Sequence, residues 1–360
     1  MSILFNMPYR DIEAHELFQL EDMVLVDIRS PQEYKEFHIP GAVNVPLFEN
    51  EEKKLIGYIY RNEGVDRARE LGEELAKGKL EEFYRRFKEL RDKHKNVVVY
   101  CWRGGMRSQG MCKAMSDMGL ELLRLKGGYR AYRQFILRDM ERVLEGIDFI
   151  VLTGKTGVGK TKVLKLLKEE GMPVIDLEDL AKDRGSVFGS VGIGEEVSQK
   201  QFDALLYEEL RRVGSGLVFI EDESRRIGNV YIPESFWKKK ERGTYVEIKA
   251  SMETRVKNII SDYMKREGWE EEAREAVKRI KKYLGPQRFN YLMECFERAD
   301  YEEVIRFLIE EYYDKKYRQF GEPVIEVNCD DARECVKRLK EFYDSLSHEG
   351  KVQDIALQGR

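Results

Sequence analysis

Cys101 stands at the end of the apolar run 97–100 (VVVY) and is followed by Trp102-Arg103-Gly104-Gly105-Met106-Arg107-Ser108. A thiol at the carboxyl end of a buried strand, ahead of a glycine-bearing loop and a helix N-terminus, lies where backbone N–H groups converge and the helix dipole is positive. Such a setting favours the thiolate and holds an anion against it. Arg103 and Arg107 supply charge for oxyanion oxygens, Gly104 and Gly105 let the backbone curl, and Ser108 occupies a helix-cap position. The expected chemistry is nucleophilic or group-carrying work at sulfur on an anionic substrate.

A second constellation, Gly154-Lys155-Thr156-Gly157-Val158-Gly159-Lys160-Thr161, fits GxxxxGK[ST] at every fixed position, after a predicted strand and before a predicted helix. Gly154, Gly157 and Gly159 let successive N–H groups face phosphate oxygens, and Lys160 adds a point charge. Any di- or triphosphate ester satisfies these donors. The run 217–223 (LVFIEDE) places Glu221 and Asp222 at the end of another apolar strand, as the second half of such a site would. Arg225 and Arg226 follow directly, and at least one is expected to meet an anion. If Mg²⁺ takes part, Thr161 and Asp222 are the positions it would use; no tightly bound cofactor is expected.

Elements of an α/β fold must position both loops. Strand-like runs are read at 23–27, 97–100 and 121–125, with helices at about 108–118 and 129–144. Between about 49 and 95 lies a charged, helix-favouring insertion, broken by the glycine-bearing GYIYRNEGVDRARELG and read as a solvated helical cover. A second strand–loop–helix unit starts at 148–153, placing a domain boundary near Glu145–Asp148. Further strands are expected at 217–221, 244–249 and 323–327. The domains are thus 1–145, 146–346 and a polar, frayed tail at 347–360.

Composition agrees. The 360 residues exceed the roughly 150 of one ordinary domain. At 42% hydrophobic and 36% charged, the chain is neither disordered nor membrane-embedded, and no run of about 18 apolar residues spans a bilayer. MSILFNMPYRDIEAHELF does not read as a secretory signal, so a cytoplasmic location is expected. Five scattered cysteines with no CxxC or HxxxH pair argue against a disulfide framework and a zinc site. Cys112, Cys295, Cys329 and Cys335 are read as structural. With a net charge of -4, a polyanion needs a local basic surface. Residues 255–288 offer one, with ten Lys/Arg against six Asp/Glu. Trp269, Tyr283 and Tyr291 there could stack on a base, although core packing is the better expectation for each.

Asp27-Ile28-Arg29-Ser30-Pro31-Gln32-Glu33-Tyr34, His38-Ile39-Pro40-Gly41-Ala42-Val43-Asn44-Val45-Pro46, the Cys101 loop and Gly127-Gly128-Tyr129 resemble the rhodanese family. In sulfur-carrying members four residues separate the cysteine from the following arginine. Here five separate Cys101 from Arg107, as in related phosphatases, leaving more room for a tetrahedral oxyanion. His38 resembles a packing and hydrogen-bonding member of the motif.

The order of the two loops, together with CWRGGMRS, GKTGVGKT, EDESRRIGNVYIP and Leu284-Gly285-Pro286-Gln287-Arg288-Phe289, resembles the tRNA 2-selenouridine synthase family over nearly the whole chain. The resemblance implies an N-terminal rhodanese-like α/β domain and a C-terminal P-loop NTPase-like α/β domain with a parallel sheet and helical additions. It further implies geranylation of wobble 2-thiouridine in tRNA by geranyl diphosphate, then replacement of the S-geranyl group with selenium from selenophosphate. Under it Cys101 is catalytic, with S-selanylcysteine as one form it could take. Arg103, Gly104, Gly105, Arg107 and Ser108 hold selenophosphate, and residues 154–161 hold the donor diphosphate. The anticodon arm of tRNA is the implied partner, and a selenophosphate-supplying enzyme a second. Two other readings are a nucleotide-dependent sulfurtransferase or kinase fused to a rhodanese-type sulfur carrier, and a regulatory phosphatase-like module. The last lacks a clear carboxylic acid to protonate its leaving group.

Overall fold

The computed structural model of the chain describes residues 9–183, 197–263, 268–317 and 320–358. The chain divides into two compact units, Met1–Asp139 with Lys200–Glu208, and Met140–Gln199 with Glu209–Arg360.

In the first unit, β1 (Arg10–Ile12), β2 (Met23–Asp27), β3 (Val43–Asn44), β4 (Asn96–Tyr100) and β5 (Leu123–Leu125) form a parallel sheet in the order β1-β5-β4-β2-β3. The two apolar runs at 23–27 and 97–100 pair in register at its centre, Val24 with Val97 and Val26 with Val99. Strands buried on both faces read as unbroken hydrophobic runs, which is why they were legible. β1 and β3 are too short to show such a run.

The polar helix α1 (Pro31–Glu36) starts with a capping box in which Ser30 and Glu33 satisfy each other's backbone, with Pro31 in the first turn. The insertion at 49–95 is a set of three helices, α2 (Asn50–Asn62), α3 (Val65–Lys77) and α4 (Leu80–Lys93). Gly64, at φ 98°, breaks the first from the second. Of these only α4 inserts aromatic side chains into the core, through Phe83 and Phe87. α5 (Met106–Asp117), most of α6 (Gly128–Glu145) and the segment Lys200–Glu208 also belong to this unit.

The second unit centres on β6 (Ile147–Thr153). Then come α7 (Lys160–Glu169), β7 (Val174–Ile175), α8 (Leu177–Ala181), α9 (Gln199–Val213) and β8 (Gly216–Glu221). A two-stranded antiparallel hairpin, β9 (Arg226–Ile227) and β10 (Val230–Tyr231), precedes α10 (Glu234–Lys240), β11 (Thr244–Lys249) and α11 (Met252–Tyr263). The remainder is α12 (Trp269–Leu284), α13 (Pro286–Glu297), α14 (Tyr301–Leu308), a π-type turn Ile309–Tyr313, α15 (Asp314–Lys316), β12 (Pro323–Asn328) and α16 (Ala332–Gln358). The parallel sheet runs β12-β11-β6-β8-β7. α12 to α14 carry a separate apolar cluster around Val277, Leu292 and Phe296. The backbone of α16 stays helical past residue 347, where the sequence suggested a frayed tail. Among the described residues no helix is long and apolar enough to cross a membrane.

Candidate functional site

In open parallel sheets ligands bind beyond the carboxyl ends of the strands. Cys101 leaves the end of β4, a central strand, and its residue is only 3% exposed. Its Sγ lies 3.3 Å from the Ser108 Oγ, which also contacts the Gly105 carbonyl at 3.3 Å. Ser108 therefore sits inside the turn, beside the thiol. Among the described residues no backbone N–H from Trp102 to Arg107 has a hydrogen-bond acceptor. That row of donors heads the first turn of α5, the arrangement that receives an anion.

Two braces hold the loop. Gly127 and Gly128, both at positive φ, press against it, and Tyr129 and Arg130 donate backbone hydrogen bonds to the Cys101 and Trp102 carbonyls at 2.9 and 3.1 Å. A Cβ on Gly128 would lie 2.1 Å from the Cys101 carbonyl oxygen, so this approach admits only glycine. Gly104, at φ 61°, is met from the other side by Arg124, which donates to its carbonyl while pairing with Asp11 at 2.8 and 2.5 Å.

Arg107 is 29% exposed and pairs with Glu33 at 3.1 Å. Burial alone would raise the Glu33 carboxyl, but Arg107 and the Ser30 N–H outweigh it and hold it below the ordinary value. Arg103 is exposed and has no side-chain partner among the described residues, leaving its charge free for a ligand. Trp102 stacks on Tyr129 at 5.8 Å, with the Lys200 ammonium 5.1 Å from its ring. His38 stacks on Tyr34 at 4.1 Å, a packing position. Asp27 and Arg29 form a buried ion pair at 2.7 Å, which accounts for that part of the motif structurally.

The second loop follows β6. Gly154, Gly157 and Gly159 have φ of 146°, 85° and 97°, conformations that suit glycine. Among the described residues the backbone N–H groups of Lys155, Thr156, Gly157, Gly159, Lys160 and Thr161 have no acceptor. Lys160 Nζ folds back onto the Gly154 carbonyl at 2.7 Å. α11 supports the loop from behind: Arg255 donates to the Thr156 carbonyl at 2.9 Å and pairs with Asp314 at 2.6 Å, and Asn258 donates to the Gly157 carbonyl at 2.9 Å.

The acidic residues divide. The Thr161 hydroxyl donates to Glu178 at 3.0 Å, and the Glu178 N–H donates to Glu221 at 2.7 Å. Burial, with Glu223 adding repulsion, pushes the Glu178 carboxyl up to about 8 against the pull of Lys160. Burial beside Asp176 and Glu178 carries Glu221 well above the carboxylate range. Asp222 is turned elsewhere, to buried Lys240 at 2.7 Å and the Thr153 hydroxyl at 3.0 Å. Thr161 and Asp222, the positions expected for Mg²⁺, thus have different partners here, Glu178 for the first and Lys240 with Thr153 for the second. Among the described residues no group of three His, Cys, Asp or Glu is placed to hold a metal ion.

Arg225 and Arg226 are both exposed and have local partners. Arg225 pairs with Glu234, and Arg226 donates to the Gly228 carbonyl at 2.9 Å within its own hairpin. Of the basic stretch, Arg255 is buried at the loop and is no surface contact, while Lys265 and Arg266 lie outside the described residues. Lys278, Arg279, Lys281 and Lys282 remain exposed on α12. Trp269 packs on Tyr301 at 4.7 Å, and Tyr291 bonds Glu303 at 2.8 Å; Tyr283 is 55% exposed. Cys112, Cys295, Cys329 and Cys335 are buried in apolar clusters, with burial pushing Cys112 up to about 12. Arg124, Glu178, Lys240, Arg255 and Asn258 had no sequence signal, because each reaches its loop from a distant segment.

A family model for the tRNA 2-selenouridine synthase AAA domain matches residues 147–338, and one for the rhodanese-like domain matches residues 12–135. A tRNA 2-selenouridine synthase of Sulfurovum sp. (strain NBC37-1) is 34% identical over 330 residues, covering 83% of this chain and 88% of that protein. One of Nitrosomonas europaea is 32% identical over 346 residues, covering 83% and 89%. One of Hydrogenovibrio crunogenus is 32% identical over 330 residues, covering 84% and 90%. With a cysteine loop in a rhodanese-like unit and a phosphate loop in a P-loop unit, the chain belongs to the tRNA 2-selenouridine synthase family.

Proposed function

We propose that the protein is a transferase that converts wobble 2-thiouridine in tRNA to 2-selenouridine in two steps. The observation that carries this reading is the pair of backbone cradles, one around a thiol and one around a phosphate motif, each with its N–H groups lacking acceptors among the described residues.

In the first step the thiocarbonyl sulfur attacks the allylic carbon of geranyl diphosphate, the C–O bond breaks, and pyrophosphate leaves as the base loses its N3 proton. Lys160 and the N–H groups of the 154–161 loop stabilise the departing charge. In the second step selenium from selenophosphate bonds to C2 and the carbon–sulfur bond breaks, releasing geranylthiol. Water then cleaves the Se–P bond, giving 2-selenouridine and phosphate. An alkylated sulfur leaves as a thiol, which an unmodified thiocarbonyl does not. Arg103, Arg107 and the 102–107 N–H groups hold selenophosphate beside Cys101, the catalytic cysteine of this step. A selenophosphate-supplying enzyme is the implied upstream partner. No step is routed through a metal or through nucleotide hydrolysis.

The test is nucleoside analysis of 2-thiouridine tRNA incubated with the protein, geranyl diphosphate and selenophosphate, omitting each in turn. Omission of the prenyl donor is expected to stop selenium entry. Cys101→Ala should abolish conversion of S-geranylated tRNA while leaving geranylation intact, and wild-type selenation by this variant would remove the cysteine role. Lys160→Ala should weaken geranyl diphosphate binding at least about tenfold, the worth of one charge-assisted contact. An unchanged affinity would remove the donor-loop assignment.

A further inference from the structure

The helical insertion does not only cover the first unit. It walls one side of an open cavity of about 860 Å³, within the range of small-molecule sites of about 300–1,000 Å³. Leu47, Phe48, Ile56, Leu80, Phe83 and Met111 supply much of its apolar lining. The opposite wall is one face of α5. Met106, Arg107, Gly110, Lys113, Ala114 and Asp117 line it at helical spacing, a stripe about 16 Å long at about 1.5 Å per residue. This stripe begins at the cysteine loop, because Met106 and Arg107 directly precede Ser108, whose hydroxyl touches the Cys101 thiol at 3.3 Å.

The helices facing the cavity are amphipathic but unfilled. α2 buries no residue and α3 only Ala68 and Gly72. Tyr60, Val65 and Met106, all lining residues, stay 57%, 47% and 66% exposed. An apolar face left this open marks a binding surface. The lining also carries charge, Lys53, Arg69, Lys77, Arg107 and Lys113 against Glu73 and Asp117, with Glu33 paired to Lys53 and Arg107 and Asp66 to Arg69. The cavity thus combines apolar lining, an excess of cationic side chains and a wall that starts at the C-terminal end of the cysteine loop.

We propose that this cavity receives the ten-carbon isoprenoid chain carried on the substrate sulfur, laid along α5, while its cationic lining residues meet the anionic RNA. The inference rests on the two-step reading above and adds where the leaving group is recognised. An apolar lining offers a nucleobase few hydrogen-bond partners, whereas a branched hydrocarbon needs none. The cavity makes the alkyl group a recognition element: a base bearing it is drawn to the cysteine loop, and an unalkylated base is not.

Two glycines provide the test. Gly57 on α2 and Gly110 on α5 both line the cavity, and a Cβ on either meets nothing within 4 Å. Both lie inside helices without positive φ, so a side chain starts from a Cβ that meets no neighbour, and leucine improves helix propensity. Gly57→Leu and Gly110→Leu, in the full chain, should melt no lower than wild type. The expected result is a tenfold or greater loss in kcat/KM for selenation of S-geranyl-2-thiouridine tRNA, with S-methyl-2-thiouridine tRNA turned over within twofold of wild type. Equal losses on both substrates, or no loss on the geranylated one, would overturn the proposal.

Calorimetric titration with the nucleoside S-geranyl-2-thiouridine separates this inference from the reading beneath it. If wild type selenates neither RNA, the two-step reading fails. Nucleoside binding weakened tenfold by Gly110→Leu then still supports the cavity, and equal binding by both proteins sinks it. Geranyl diphosphate binding should be unchanged by both substitutions; its loss would assign the cavity to the prenyl donor and overturn the assignment to the substrate sulfur.

Discussion

At the scale of single residues, Glu178 is moved far from its ordinary chemistry. Its carboxyl, held up to about 8 by burial and by Glu223, accepts the Thr161 hydroxyl at the first turn of the phosphate-loop helix. Between its ordinary 4.5 and about 8 the folded protein binds more protons here than the unfolded chain does. Its contribution to stability is therefore greatest at the acid side of that window and falls as pH rises through it. Asp176, Glu221 and Glu223 are shifted in the same direction, so the whole cluster shares this sign. Glu178→Gln keeps an oxygen for Thr161 and removes one titration. The expected outcome is a flatter melting-temperature profile between about pH 5 and pH 8, with the variant gaining most at the alkaline end. A slope equal to wild type would contradict the buried protonation. Burial likewise pushes the Cys112 thiol up to about 12, away from the thiolate.

At the scale of elements, each loop depends on a brace from a separate segment. Gly127 and Gly128 brace the cysteine loop, and Gly128→Ala combines a left-handed φ of 59° with a Cβ 2.1 Å from the Cys101 carbonyl oxygen. Urea denaturation should show a loss of about 3 kcal/mol or more, in the tail reserved for strain at special backbone positions. A loss under about 1 kcal/mol would mean that the two segments separate freely. α11 braces the phosphate loop through Arg255, whose removal leaves the Thr156 carbonyl and Asp314 short of a partner. Arg255→Met should cost toward the lower end of the about 3–5 kcal/mol for breaking a buried pair, because Asp314 is a fifth exposed and keeps Lys155. The central strands were legible because runs such as VVVY are buried on both faces. β3, β7 and the β9–β10 hairpin were not, since two residues make no period.

At the scale of the molecule, the RNA substrate proposed above would meet a chain of net charge -4. The exposed Lys278, Arg279, Lys281 and Lys282 of α12 give a local basic face despite the acidic total. Binding to an anticodon-arm RNA should weaken at least about tenfold between about 50 and 200 mM salt, as counterion release requires when several phosphates are neutralised. A filter-binding curve unmoved by salt would exclude this face. Charge reversal of Lys281 and Lys282 should weaken binding to all such RNAs alike, because phosphate contacts carry no sequence information.

Local order in the chain was enough to determine the two cradles, the α/β class and the central strands: adjacent residues form a glycine-rich loop, and a β-branched run between polar segments has few other ways to bury itself. Only the tertiary structure decided what stands behind and beside them. It placed Arg124 under Gly104 and Arg255 under Thr156, paired Asp222 with Lys240, and turned a stretch read as a solvated cover into the wall of a cavity. The reason is separation along the chain. Amphipathic spacing states that a helix has an apolar face, but whether that face meets a packed core or an open space depends on segments that its own residues do not encode.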